Sequence, residues 1–222
     1  MTLAKQVIGL LGLIGSGKNT VGDMLVADHG FVKISFASSL KDATASIFGW
    51  DRALLEGETD ASRHWRERED EWWSEQLGIP NLTPRLALQL LGTEVFRNHF
   101  HGDIWILSAE NRIQNAGHDK IVVTDVRFDN EIDMIHRLAG TTYQIRRGED
   151  PEWWAMATNY NDKIRLAKEG YSIREPNPMT EVYPDVHASE YSWVGGAIDM
   201  IIENDGSLDD LRTLVSGITN PE

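Results

Sequence analysis

Residues 12–20 read GLIGSGKNT, and no other stretch limits the fold of this chain so tightly. The phosphate-loop pattern is G-x-x-x-x-G-K-[ST], and Gly12, Gly17 and Lys18 satisfy it. Position 19 departs from the pattern. It is Asn, and the first hydroxyl comes one residue later, at Thr20. The flanks give the motif its mechanism. Val7–Leu11 is a short apolar run, as in a buried strand. Val21, Met24, Leu25 and Asp28 then recur at helical spacing as far as Gly30. Glycines between a strand and a helix let backbone N–H groups face a phosphate, and the helix N-terminus adds positive potential. Lys18 adds a mobile charge for the outer phosphates. The competing reading is a glycine-rich turn with a surface lysine, and the agreement of motif and context speaks against it.

The rest of the chain alternates. Strands are predicted at Gln6–Leu11, Phe31–Phe36, Lys120–Asp125, Thr141–Arg146 and Ile198–Glu203. Helices are predicted at Lys18–Asp28, Leu40–Phe48, Pro84–Asn98, Ile104–Ala116, Glu131–Ala139 and Leu208–Val215. Strands separated by helices imply an α/β fold, a parallel five-stranded sheet with helices on both faces. The 222 residues suffice for a single domain over 1–222. Two segments break the rhythm. Residues 51–82 are charged and carry Trp65, Trp72 and Trp73, and residues 148–186 carry Trp153, Trp154 and the prolines Pro176, Pro178 and Pro184. Long insertions are often lids or acceptor loops, and solvated decoration is the equal alternative.

Composition narrows the chemistry. With no cysteine there is no disulfide and no thiolate metal site. A net charge of -14 disfavours broad contact with a nucleic-acid backbone, though not a small phosphorylated substrate. No apolar run approaches the ~20 residues of a membrane span. MTLAKQ leads straight into a strand, so no cleaved signal is expected and a cytoplasmic setting is. His187 and Glu190 stand three apart without an evident third ligand, so they read as structural rather than metal-binding.

Two further stretches carry candidate site residues. KIVVTDVRFDNE, 120–131, ends an apolar run in Asp125, where the carboxyl end of a parallel strand collects ligands. A carboxylate there suits Mg²⁺ or its waters, and Arg127 follows where a phosphate would lie. Asn130 and Glu131 open the next helix. The alternative is a turn aspartate and a surface arginine. LTPRLALQLLGTE, 82–94, starts with a good N-cap, Thr83, and Pro84 at the first helical position. Ala87, Leu91 and Val95, with Leu88, form an apolar stripe, while Arg85, Gln89 and Thr93 share another face at four-residue steps. That face suits a nucleoside monophosphate, with charge for the phosphate and an amide for the base. An ordinary polar face is the alternative. Gly92 costs roughly 1 kcal/mol in a helix relative to Ala, which points to a close approach.

These stretches together carry a resemblance. GLIGSGKNT resembles the nucleoside monophosphate kinase loop G-x-x-G-x-G-K-x-T, in which the residue after the lysine is free and the hydroxyl is the next one. More closely, the chain resembles the deoxynucleoside monophosphate kinases of tailed bacteriophages. The matching pieces are SGKNT, LKDA at 40–43, QLLGTE at 89–94, GDIW at 102–105, DVRFDNEID at 125–133, HASE at 187–190 and ENDGSLDDL at 203–211. The resemblance implies the three-layer phosphate-loop NTPase fold of the monophosphate-kinase type. It implies transfer of the terminal phosphoryl of ATP, with Mg²⁺, to a deoxynucleoside 5′-monophosphate for DNA precursor synthesis. By position, Gly15, Ser16, Gly17, Lys18, Asn19 and Thr20 would hold ATP and Mg²⁺, with Thr20 and Asp125 on the metal. Lys41, Arg85, Gln89, Gly92, Thr93, Trp105, Asp125, Arg127, Asn130 and Glu131 would line the acceptor site, with Lys18, Arg85, Asp125 and Arg127 catalytic. If phage-encoded, the chain would work in the host's cytoplasm. A homodimer is left open.

Two other functions fit parts of the pattern. Dephospho-coenzyme A kinases have a similar loop and a comparable N-x-G-x-L stretch, here Asn204–Leu208, whereas LGTE and DVRFDNE favour the first reading. A regulatory module using the loop as a switch would need a partner surface in 51–82.

Overall fold

The computed structural model describes residues 5–168 and 176–219. The extreme N-terminus, residues 169–175 of the second insertion and residues 220–222 lie outside the described residues. The elements in chain order begin with β1 Gln6–Leu11, α1 Lys18–His29, β2 Val32–Ile34 and α2 Ser38–Phe48. A 3₁₀ turn Leu54–Glu56 leads to α3 Asp60–Arg66, α4 Glu71–Leu77, α5 Pro84–Gln89, a π-helical segment Leu90–Phe100 and α6 Ile104–Asn115. Then follow β3 Lys120–Val123, α7 Asp129–Arg137, β4 Thr141–Arg146, α8 Trp154–Lys168, α9 Pro178–Val182, α10 Ala188–Tyr191, β5 Met200–Glu203 and α11 Leu208–Thr219. The chain divides into two compact units, Met1–Ser35 with Asn115–Glu222, and Phe36–Gln114.

The first unit holds the sheet. Its order is β2-β3-β1-β4-β5, and every pair is parallel. Successive residues of β1 serve opposite faces. Ile8 and Leu10 join Val21, Leu25, Leu211 and Val215 in a core under α1 and α11. Gly9, between them, abuts Ile135 of α7 and Val126. Helices therefore cover both faces, as a fully buried parallel strand requires. β1 lies between β3 and β4, so the strand order reverses there, and the residues after β1 occupy the crevice at the carboxyl ends.

The second unit is helical and contains the first insertion. That insertion is built of short helices tied together by aromatic rings. Phe48 stacks on Trp50 at 4.3 Å between ring centroids, with Trp73 and Trp65 edge-on to the pair. The indole N–H groups are satisfied: Trp50 donates to Asp70 and Trp73 to the Phe48 carbonyl. Leu82 N–H donates to Ser74 Oγ and Asp70 N–H to the Leu82 carbonyl, which ties α4 to the start of α5.

The predicted helix 84–98 is a finding of a different kind. It is α-helical only to Gln89, after which i→i+5 bonding widens the turn, closing with His101 N–H on the Phe96 carbonyl. The predicted apolar stripe does not run to its end, and Val95 is 49 % exposed. Predicted β2 and β3 also shorten, because Phe36 and Asp125 already belong to connections rather than ladders.

Candidate active site

The loop 12–17 folds tightly because three of its residues tolerate positive φ: Gly12 at 145°, Gly15 at 80° and Gly17 at 102°. A side chain at Gly12 would overlap the Ile145 carbonyl of β4, and one at Gly17 would overlap the Asn204 amide. Gly17 is also the N-cap of α1. That helix has no side-chain cap and no acidic residue in its first turn, so its orphan N–H groups stay available to an anion. Ser16 Oγ is buried with no hydrogen-bond partner among the described residues.

Beside the loop lies a cleft of about 400 Å³, lined by Gly15, Gly17, Lys18, Asn19, Thr20, Arg127 and Arg147. Lys18 Nζ donates to the Gly12 carbonyl at 2.6 Å and the Leu13 carbonyl at 2.7 Å. Burial lowers its pKa from 10.5 to about 8; Arg127 pushes the same way and Glu190 opposes. Arg127 Nη1 donates to Glu190 Oε1 at 3.1 Å and Ser189 Oγ at 3.2 Å. Asn19 is exposed and Thr20 half-buried.

Backbone placement in this unit depends on two buried polar groups. Glu131 is 5 % exposed, and its carboxylate accepts from the Arg127 N–H at 2.7 Å and the Phe128 N–H at 3.2 Å. It therefore braces the turn that presents Arg127. Asn204 Nδ2 donates to the Ser16 carbonyl at 2.8 Å. Thr124, just before Asp125, packs under α1, where a Cβ on Gly22 would lie 2.6 Å from the Thr124 methyl.

These features fit a bound polyphosphate: uncapped helix N–H groups, an orphaned buried hydroxyl and three cations on one cleft. The Thr20 hydroxyl and the Asp125 carboxylate are hard oxygen donors that fit Mg²⁺. In phosphoryl-transfer sites that ion usually takes one or two protein carboxylates and fills the rest of its shell from water and substrate. Among the described residues no group of three or more His, Cys, Asp or Glu side chains is placed to hold a metal.

The remaining predicted residues, Asn130 aside, lie in the second unit. Arg85, Gln89 and Thr93 are all exposed. Arg85 pairs with Glu67 at 2.8 Å. Lys41 is largely buried and pairs with Glu56 at 2.5 Å. Glu56 also meets Arg52, which bridges to Asp42, and Asp42 meets Arg112. Burial opposes ionisation of Glu56, yet hydrogen bonds from Lys41 and Arg52 outweigh it and hold the carboxyl below its ordinary value. Gly92 permits a close approach, since a Cβ there would lie 2.6 Å from Leu40 Cδ2. Trp105 is only 8 % exposed, edge-on to Phe96, and its Nε1 donates to the Gly92 carbonyl at 2.8 Å. The indole therefore braces the π-helical segment instead of lying open as a free flat face. Asn130 is exposed at the start of α7.

Sequence reasoning missed three residues of the first unit. Arg147 follows β4 at its carboxyl end, and the strand-end rule that singled out Asp125 would have found it. Glu190 was noticed only as half of a metal pair, and Asn204 only as part of a family stretch.

No family model matches the chain. A protein of Acanthamoeba polyphaga mimivirus carrying the name deoxynucleotide monophosphate kinase is 32 % identical over 152 residues, 64 % of this chain and 74 % of that protein. The deoxynucleoside-5′-monophosphate kinase of Escherichia phage T5 is 43 % identical over 54 residues, 24 % of this chain and 22 % of its own. Among solved structures, TT1252 from Thermus thermophilus aligns over 98 % of each chain at 16 % identity with a TM-score of 0.46. The dephospho-CoA kinase of Campylobacter jejuni aligns over 97 % of this chain and 96 % of its own at 18 % identity with a TM-score of 0.40.

Proposed function

The chain belongs to the deoxynucleotide monophosphate kinase family, and from that premise we propose that it moves the γ-phosphoryl of ATP onto a deoxynucleoside 5′-monophosphate, giving the diphosphate. The observation that carries this reading is the cleft beside α1, where Lys18, Arg127 and Arg147 meet an uncapped helix N-terminus. Phosphoryl transfer spreads charge over the phosphoryl oxygens, so positioned cations matter more than covalent chemistry.

The loop amides from Gly15 to Thr20 bind the donor phosphates. Lys18 leaves its two carbonyls and follows the charge onto the transferring group. Arg127 is oriented by the Glu131 brace and exchanges Glu190 for phosphate oxygens. Thr20 and Asp125 are the residues we assign to Mg²⁺, which when bound offsets phosphoryl charge. Lys41, Arg85, Gln89, Gly92 and Thr93 are assigned to the acceptor, with Trp105 acting through Gly92. Asp125 and Asn130, at the start of the turn and helix that carry Arg127, are assigned to the acceptor as well.

A coupled assay with ATP, the four deoxynucleoside monophosphates, their ribonucleotide counterparts and dephospho-coenzyme A tests the proposal. Turnover with at least one deoxynucleoside monophosphate is expected. Turnover confined to dephospho-coenzyme A, or no turnover with any acceptor, overturns it.

A further inference from the structure

One guanidinium in the second unit has no role in anything described so far. Arg66 closes α3 inside the 51–82 insertion, and it lies so close to Gly57 that a Cβ there would overlap its guanidinium. Its Nε is buried with no hydrogen-bond partner, and among the described residues it is in no ion pair. A buried, unsatisfied N–H on a charged group is destabilising unless an acceptor arrives. Its neighbours are telling. Glu67, next in sequence, holds Arg85 at 2.8 Å. Glu56, which precedes Gly57, holds Lys41 at 2.5 Å. Two of the cations that the sequence assigned to the acceptor, Lys41 and Arg85, are thus each held by a carboxylate that adjoins in sequence either Arg66 or the Gly57 it packs on. Burial lowers the pKa of Arg66, and the Arg85 guanidinium beside it lowers it further. Arg63 acts the same way, and Glu67 and Glu56 oppose.

We infer that Arg66 is a phosphate-binding residue of the acceptor, the planar fork that with Arg85 receives the 5′-phosphomonoester dianion. The inference rests on the kinase reading above and deepens it. A guanidinium suits the task because its paired N–H groups match two phosphate oxygens, which a lysine ammonium cannot reproduce. Glu67 then acts as the occupant that the phosphate displaces from Arg85.

The test compares each deoxynucleoside monophosphate with its unphosphorylated deoxynucleoside, and includes inorganic phosphate as a third ligand. For wild type, Arg66→Ala and Arg66→Lys, the measurements are the KM for the nucleotide, the KM for ATP and the inhibition constants of the nucleoside and of phosphate. Arg66→Ala is expected to raise the nucleotide KM roughly tenfold or more, leaving the KM for ATP and the nucleoside inhibition constant unchanged. Inorganic phosphate should lose inhibition in parallel with the nucleotide. Arg66→Lys should fall between the two, and it covers a failure of the alanine variant to fold. Equal weakening of nucleotide and nucleoside, or folded variants with the wild-type nucleotide KM, would overturn the inference while leaving the kinase reading intact. Wild type that phosphorylates no deoxynucleotide overturns both.

Discussion

The loop region of the first unit and the insertion region of the second are both rich in cations, and they treat them in opposite ways. Around the loop, Lys18 is held by two main-chain carbonyls, Arg147 is in no ion pair among the described residues, and Arg127 has the single carboxylate Glu190. In the second unit, Lys41, Arg52, Arg85 and Arg112 each meet a carboxylate, whereas among the described residues Arg66 does not. Carbonyl dipoles can steady an ammonium without neutralising it. Charge therefore survives at the loop, at the cost of a depressed lysine pKa. In the insertion most charge is used to cross-link short helices that lack a large core. The contrast separates cations left without a neutralising carboxylate from cations already held by one, and it can be broken or sharpened by substitution.

The largest effect should come from Lys18→Ala. Its partners are carbonyls that water can satisfy, so the fold should persist while kcat falls by about 10² or more, with a smaller change in ATP affinity. Steady-state kinetics beside a melting curve checks this, and near-normal turnover would end the distinction between the two regions. Arg127→Ala should cost about 1.5–3 kcal/mol in kcat/KM, the scale of a charge-assisted hydrogen bond. Because Arg127 is half exposed, the thermal midpoint should barely move.

A loss of roughly tenfold is expected from Thr20→Val in Mg²⁺-dependent turnover. Asn19→Ala should be milder, since that side chain points to solvent. Asn19→Thr should not rescue Thr20→Val, because one residue turns a helix by about 100°. A titration of kcat against Mg²⁺ for the double variant decides the matter.

Smaller still is the pH effect. A polyphosphate favours charged Lys18, so nucleotide binding near pH 8 should take up protons, and affinity should weaken as pH climbs past about 8. Calorimetry in two buffers of different ionisation heat measures the uptake. For the unliganded protein the sign reverses. The unfolded chain binds the extra proton between about 8 and 10.5, so the Lys18 penalty is complete below that window and stability recovers through it. Smallest of all is Glu67→Gln. Both it and Arg85 are more than half exposed, so stability should change by only about 0–1 kcal/mol. A larger loss in a denaturant titration would mean that this pair belongs to the fold after all.

Much of this was legible in the sequence. Strands β1 and β4 have the predicted ends, because buried runs bounded by charges leave little choice of register. The role given to Thr20 comes from the resemblance of the loop to G-x-x-G-x-G-K-x-T, not from the phosphate-loop spacing itself. The π-helical segment could not, because QLLGTE has good α-helical periodicity and only tertiary bonds such as Trp105 to the Gly92 carbonyl favour the wider turn. The insertion was opaque for a different reason. Its helices are short, and they are specified by ion pairs and ring contacts between distant residues rather than by local pattern. Arg66 has no sequence signature at all; only its burial and its missing partner single it out.

The bond from Asn204 to the Ser16 carbonyl joins residues 188 positions apart. Ribosomes add about 5–20 residues per second, so residue 16 emerges some 10–40 s before the side chain that secures it. During synthesis the loop exists without its tether. A nascent chain stalled before β5 should therefore hold nucleotide poorly, however well its first strand and helix have formed.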